Sequence, residues 1–206
     1  MFKREKKLKN SFRAFPDLKG AQTGGEEMYG IGEHVIYGTN GICRVGKVCR
    51  SPFDPSDIRL FYVLYPLFDL SNSVIYTPVD NPAVVMRPPV SRKEAEDLFG
   101  KIPELDIITV PEEKKRKEYY REAVRTTMLT EYIRVIKTVV RRRAEFKKMR
   151  RRLPDLDNDF EHTSRNCLYG EIADVLGIDR EEVHRRIKEL TENGSDAPSA
   201  KTAPAD

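Results

Sequence analysis

The sequence predicts an α+β protein in which a small strand-built domain precedes an all-helical one, and three observations predict it. Up to residue 87 the apolar residues form short runs rich in β-branched and aromatic side chains; from residue 91 they recur with a period of 3.6. Turn signals punctuate the first half every few residues, whereas the second half carries helix caps and stops. Charge is also segregated: residues 28–90 hold 5 basic and 5 acidic groups, residues 114–152 hold 16 and 4, and residues 153–192 hold 5 and 11. The domains that follow are 29–88 and 89–192. A basic tail, 1–28, and a low-complexity tail, 193–206, are too polar to bury apolar area and are expected to be disordered, with Met28 a candidate for the natural start.

In the first domain, Glu33–Tyr37 reads as a strand, Gly38-Thr39-Asn40-Gly41 as a turn built on a favoured Asn-Gly pair, and Ile42–Cys49 as the returning strand. A loop over 51–57 leads to Arg59–Tyr65, the strongest strand pattern in the chain, and Ser71-Asn72 turns it into Val74–Pro78. Four or five short strands in some sixty residues suit a small, strongly bent barrel or sheet. Of the aromatics Tyr37, Phe61, Tyr62, Tyr65, Phe68 and Tyr76, most are needed as core in so small a domain, and the rest are surface candidates for a protein partner.

In the second domain, Ser91 and Glu94 make a capping box over Ala95, Leu98 and Phe99, with Gly100 and Pro103 as the stop. A second helix starts at Pro111 and turns Tyr120, Ala123 and Val124 inward. Thr130 caps a third, whose inner stripe is Tyr132, Val135, Ile136, Val139 and Val140, extended by Phe146, Met149 and Leu153. After a break at 154–158 a fourth helix spans about 160–176, with Leu168, Ile172, Val175 and Leu176 inside and Gly177 as its stop. Asp179 and Glu182 cap a fifth that carries Val183, Ile187 and Leu190.

Little in the chain points to catalysis. It contains no GxSxG, GxxxxGK[ST] or HExxH, and its three cysteines and three histidines are too scattered for a metal site or a nucleophile–base pair. Glu171 and Asp174 share a helix face, and such a pair reads as solvated surface. The expectation is therefore a non-enzyme without cofactor or metal. No apolar run is long enough for a membrane span and no signal core follows the N-terminus, so a reducing cytoplasm is the expected location.

The helical phases of the cations are more informative. At about 100° per residue, Lys114, Lys117, Arg121 and Arg125 fall on one narrow arc; Arg134, Lys137, Arg141, Lys148 and Arg152 fall on another, opposite the Ile136/Val139 stripe. Four glutamates in that segment cannot neutralise sixteen cations, although the acidic stretch 153–192 can do so in part by packing alongside. The two ridges suit a polyanion such as a DNA backbone. A competing motif, residues 171–187, has the layout of a helix-turn-helix, but Glu181 and Glu182 stand at the end that would face DNA.

The order of motifs resembles the CarD family of bacterial RNA polymerase-binding regulators. Gly32-Glu33-His34-Val35-Ile36-Tyr37-Gly38-Thr39-Asn40-Gly41-Ile42, Phe61-Tyr62-Val63-Leu64, Ile75-Tyr76-Thr77-Pro78-Val79-Asp80-Asn81 and Met86-Arg87-Pro88 carry it in the first half. Lys115–Tyr120, Arg134–Thr138 and Leu168–Ala173 continue it to about residue 192. The resemblance implies that the first domain is a Tudor-like (SH3-like) β-barrel, similar to the polymerase-interacting module of transcription-repair coupling factors, which grips the polymerase β subunit by a strand edge. By position it implies polymerase contacts at Arg50, Tyr76, Thr77 and Pro78. It also implies that the helical domain touches promoter DNA and modulates the open complex. Well-known members insert a tryptophan into the minor groove; this chain has no tryptophan, so its DNA contacts are expected to be mostly to phosphates.

The expected function is thus a monomeric, CarD-like transcription regulator with RNA polymerase β and promoter DNA as partners. Two alternatives stand beside it: a sequence-specific helix-turn-helix repressor using 171–187, and a protein adaptor without DNA contact.

Overall fold

The computed structural model of the chain describes residues 22–23, 26–54, 56–68 and 72–193. The expectations for 1–28 and 193–206 fall mostly outside the described residues; within them, β1 (Gln22–Thr23) and β2 (Glu26–Glu27) pair as a short antiparallel ladder. The main sheet comprises β3 (His34–Tyr37), β4 (Ile42–Arg50), β5 (Leu60–Pro66), β6 (Ile75–Pro78) and β7 (Met86–Arg87). It is antiparallel with strand order β6-β5-β4-β3-β7, so β6 and β7 are its edges and it is not closed. Among the described residues five α-helices follow: α1 (Arg92–Lys101), α2 (Arg116–Arg125), α3 (Leu129–Lys148), α4 (Asp155–Leu176) and α5 (Arg180–Asn193). Together they make an α+β chain. Among the described residues no helix is long and apolar enough to cross a membrane.

Two compact units form. In one, the segment ending at His34 joins Cys43–Ala83; in the other, Val35–Ile42 joins the chain from Val84 onward. The first unit is organised by β4, β5 and β6, with Tyr62 opposite both Val48 and Thr77. Its interior is Val45, Val48, Cys49 and the run Phe61–Leu64, all buried, which is where the aromatic, β-branched run of β5 finds its cover. The Tyr62 hydroxyl accepts the Tyr29 N–H at 2.9 Å, fixing the entry of the chain. A bulge separates Val45 from Lys47. The intervening Gly46 is required there: a Cβ on it would stand 2.1 Å from the Tyr65 ring, which lies across that strand.

The second unit begins with the tip of the β3–β4 hairpin. The Asn-Gly turn is a single 3₁₀ turn, Gly38–Asn40, closed by the Gly41 N–H donating to the Gly38 carbonyl. Gly41 has φ +69°, and a Cβ on it would sit 3.3 Å from the Cα of Cys167 on α4. The Cys167 thiol donates to the Thr39 carbonyl at 3.4 Å, and burial pushes that thiol up to about 11. β7 pairs with β3 through Ile36↔Arg87 and Tyr37↔Met86. The helical core gathers Leu98 and Ile102, Tyr120 and Val124, Tyr132, Ile136 and Val139, Leu168 and Ile172, and Val183 and Ile187, so the inner stripes expected from the 3.6 period are the ones buried.

Several boundaries differ from expectation, each for a local reason. The capping box of Ser91 and Glu94 is present, but α1 runs through Gly100 and ends at Lys101, continued by a 3₁₀ turn over Ile102–Glu104 that contains Pro103. α2 begins at Arg116 rather than Pro111, after a 3₁₀ turn over Glu113–Lys115. Thr130 lies inside α3, whose N-cap is Met128. The preceding corner is instead held by Thr126 and Thr127, the Thr126 hydroxyl accepting the Met128 N–H at 3.2 Å and Thr127 adopting φ +58°. α4 starts directly after Pro154, absorbing the expected break, because Asp155 and Asp157 in its first turn complement the helix dipole. Gly177 terminates α4 in the left-handed region, as its position predicts. Met149 is exposed rather than a continuation of the α3 stripe.

Candidate functional site

The strand edge comes first. β6 pairs with β5, with Tyr76 opposite Val63, Thr77 opposite Tyr62 and Pro78 opposite Phe61; no other strand pairs with it among the described residues. Alternation sets the roles of the three carried-over positions: Thr77 is buried, whereas Tyr76 is 38% exposed and Pro78 half-buried. The Thr77 hydroxyl accepts from Asn81 Nδ2 at 3.0 Å, and Asn81 Oδ1 accepts the Ala83 N–H at 3.0 Å, so the turn after β6 is held by its own side chains. Tyr76 meets the edge of Phe53 at 5.4 Å between ring centroids, and Phe53 is itself 74% exposed. Arg50 ends β4 opposite Leu60, beside the Phe61↔Pro78 pair, and is exposed without an ion-pair partner among the described residues.

The loop between Arg50 and β5 is shaped by polar turns. The Ser51 hydroxyl accepts the N–H groups of Phe53 and Asp54 at 3.3 and 3.2 Å, and Asp54 accepts that of Ser56 at 2.8 Å. The Ser56 bonds hold the Asp54 carboxyl below the usual range, and Arg59 does the same for Asp57. The loop thereby presents Phe53 and Ile58 outward. This unit therefore combines an open strand edge, an exposed aromatic pair and an exposed arginine, a composition suited to a protein partner.

The basic residues divide once placed. Lys114, Lys117, Arg121 and Arg125 are all exposed along one side of α2 and the turn before it. Lys114 pairs with Glu112 at 3.0 Å and Arg125 with Glu122 at 3.3 Å, while Lys117 and Arg121 have no ion pair among the described residues. On α3 the expected ridge splits. Arg134 is half-buried, bonded to Glu131 at 2.9 Å and to the Asp106 carbonyl at 3.2 Å. Lys137 points its ammonium into the end of the α1 segment, donating to the carbonyls of Ile102, Pro103 and Leu105 at 3.0, 3.2 and 2.6 Å. Burial lowers its pKa. Farther along, Arg141 is exposed and pairs with Glu145 at 3.2 Å, Lys148 is exposed and unpaired among the described residues, and Arg152 beyond the helix pairs with Asp155 at 2.8 Å.

Sequence reasoning missed the residues that neutralise the interior. Arg142 bridges Glu113 at 2.7 Å and Asp157 at 2.9 Å, and Asp157 also accepts the Tyr120 hydroxyl at 2.9 Å. Burial pushes that hydroxyl up to about 12. Arg143 and Arg165 both hold Glu161. Burial opposes the Glu161 charge, yet these two guanidinium groups keep its carboxyl below the usual range. Glu171, expected at the surface, is instead fully buried. Arg87 grips it with two parallel bonds of 2.7 and 2.8 Å, and directs its other N–H groups to the Thr127 hydroxyl (3.1 Å), the Thr127 carbonyl (2.6 Å) and the Pro88 carbonyl (2.9 Å). All five guanidinium donors are thus used.

The helix-turn-helix-like segment has little free positive charge. Glu182, in the first turn of α5, accepts from both Arg185 and Arg186, and Glu181 is almost wholly exposed beside it. An acidic N-terminal turn repels phosphates where a reading helix needs to approach them.

Residues 29–90 match the family model of the CarD-like/TRCF RID domain, the stretch that spans β3 to β7 and carries the strand motifs quoted above. The chain therefore contains a domain of that family. No curated protein matches the chain.

Proposed function

We propose that the chain is a CarD-like transcription regulator: its RID domain, a Tudor-like module, docks on the β subunit of RNA polymerase, and its basic helices lean on promoter DNA and modulate the open complex. The observation that carries the reading is the coincidence of the RID match with an open edge strand, where Arg50 has no ion pair among the described residues and Tyr76 and Phe53 are exposed together. Main-chain donors and acceptors along β6 offer strand addition, and the aromatic pair and Arg50 offer anchors of the kind that dominate interfaces.

The helical half supports the second contact. Lys117 and Arg121 are exposed on α2 with no ion pair among the described residues, Arg185 and Arg186 of α5 are instead held by Glu182, and neither contact needs high affinity when both are carried on one chain. Isolated binding to duplex DNA is then weak and electrostatic, with log K falling against log salt with a slope of about −4 to −5 for about five phosphates.

The test uses the full chain as bait in a bacterial lysate. It should retain RNA polymerase, and Tyr76→Ala with Arg50→Glu should lower retention at least about tenfold, the scale of a lost anchor. Retention that ignores both substitutions removes the docking assignment.

A further inference from the structure

The corner between α3 and α4 places five cations, Lys147, Lys148, Arg150, Arg151 and Arg152, within six residues. All are exposed. The fold of the corner is a complete Schellman turn: the Arg151 N–H reaches the Phe146 carbonyl at 2.9 Å and the Arg150 N–H the Lys147 carbonyl at 3.0 Å. Such a turn needs a left-handed residue at its centre, and here that residue is Arg150, at φ +53°. Glycine or asparagine takes that conformation readily, whereas arginine is strained in it.

Local packing does not account for the arginine. Lys147 and Lys148 lie in the last turn of α3, where cations complement the helix dipole, but Arg150–Arg152 lie past it. Arg150 makes no ion pair or hydrogen bond through its side chain among the described residues. Arg151 leans on the Phe146 ring at 5.5 Å, and the one ion pair of the corner among the described residues, Arg152 with Asp155, is largely exposed on both sides. A backbone strain kept for the sake of an unpartnered charge points to a ligand for that charge.

The corner also has company. Arg142, bound to Glu113 at 2.7 Å, sets the turn before α2 beside the second half of α3. From Arg142 to Lys148 the helix advances about 9 Å. Lys114 and Lys117 therefore stand at the same end of the α2–α3 pair as the corner, whereas Arg134 and Lys137 lie toward the other end with their charges spent internally.

We infer that the α3–α4 corner is a phosphate-binding element for a duplex DNA backbone, and that it, rather than the middle of α3, continues the α2 row. The inference rests on the DNA contact proposed above and assigns it to residues. A duplex, with one charge per roughly 1.7 Å of axis, is the polyanion that rewards five closely spaced cations, and the gain comes from counterion release.

The experiment measures binding of the full chain to a 30-bp duplex (about three helical turns) across a salt series, together with thermal melting. Arg150→Gly should melt at or above the wild-type temperature, because the turn is relaxed, yet bind DNA about three- to tenfold more weakly with a salt slope shallower by about one. Lys148→Gln with Arg150→Gly and Arg151→Gln should flatten the slope by about two to three. Arg134→Gln should leave the slope unchanged. If wild type binds and Lys117→Gln with Arg121→Gln weakens it while the corner variants do not, the inference is overturned and the DNA contact stands. If wild type shows no binding at low salt, the DNA contact falls and takes the inference with it. A lower melting temperature for Arg150→Gly overturns the argument from strain.

Discussion

At the scale of single residues, the determining feature is a charge that is fully removed from water and fully paired. Glu171 accepts from Arg87 through both oxygens, and one of them also takes the Val90 N–H at 3.0 Å. Breaking a buried pair leaves an uncompensated charge, which typically costs about 3–5 kcal/mol, whereas replacing both partners by apolar groups of similar volume is often near neutral. Arg87→Ala and Glu171→Ala should each lower the urea midpoint by an amount of that order. Arg87→Met combined with Glu171→Leu should recover much of the loss, although the Thr127 carbonyl then loses its donor. Equal damage from the double and the single changes would count against the pair and in favour of simple packing loss. This pair was illegible in the sequence because its partners are 84 residues apart, and a glutamate beside Asp174 carries no mark of burial.

At the scale of elements, the second half shows which parts of the sequence carry readable information. The apolar period located the buried faces of α1 to α5, and the Ser91/Glu94 box and Gly177 fixed two ends, since these signals are local. The destinations of the cations were not local. α4 supplies Asp157 and Glu161 to arginines of α3, so part of the basic surplus of 114–152 is absorbed inside the bundle, and Lys137 is spent on the end of the α1 segment. Glu161 makes this testable by pH. Its folded pKa lies below the unfolded value of about 4.3, so its contribution is fully present above that value and is lost as pH falls through the folded pKa. Glu113 is shifted the same way, but its carboxylate is mostly exposed and solvent screens it. Urea stability followed from pH 6 to pH 2.5 (about two units either side of that value) should decline below about pH 5, and Glu161→Gln should make the decline shallower while lowering the plateau at neutral pH. An unchanged acid limb in the variant would assign the pH dependence elsewhere.

At the scale of the whole molecule, the division into units does not follow the division of the chain into strands and helices. The hairpin tip Val35–Ile42 belongs with the helices, where Gly41 lies against Cys167 and the Cys167 thiol donates to Thr39. Hydrophobic patterning cannot reveal this, because a strand tip covered by a helix and one covered by a sheet have the same alternation. The consequence concerns what a fragment can do. Residues 28–90 contain the entire RID match and every strand of the main sheet, yet cutting at 90 removes the part of α4 that lies against Gly41 and donates to the Thr39 carbonyl. A domain of some sixty residues has little stability in reserve. The fragment should therefore unfold with a lower midpoint and a broader transition than the full chain, and its amides at Val35–Ile42 should exchange faster than those of β5. Gly41→Val provides the complementary measurement in the intact protein: a branched side chain at φ +69° and against the α4 backbone should destabilise it by at least about 1–2 kcal/mol. It should also make Cys167 available to thiol reagents, since opening the hairpin tip uncovers that sulfur. If the fragment and the full chain protected the hairpin equally, the tip would be held by its own sheet and the helices would have no part in it.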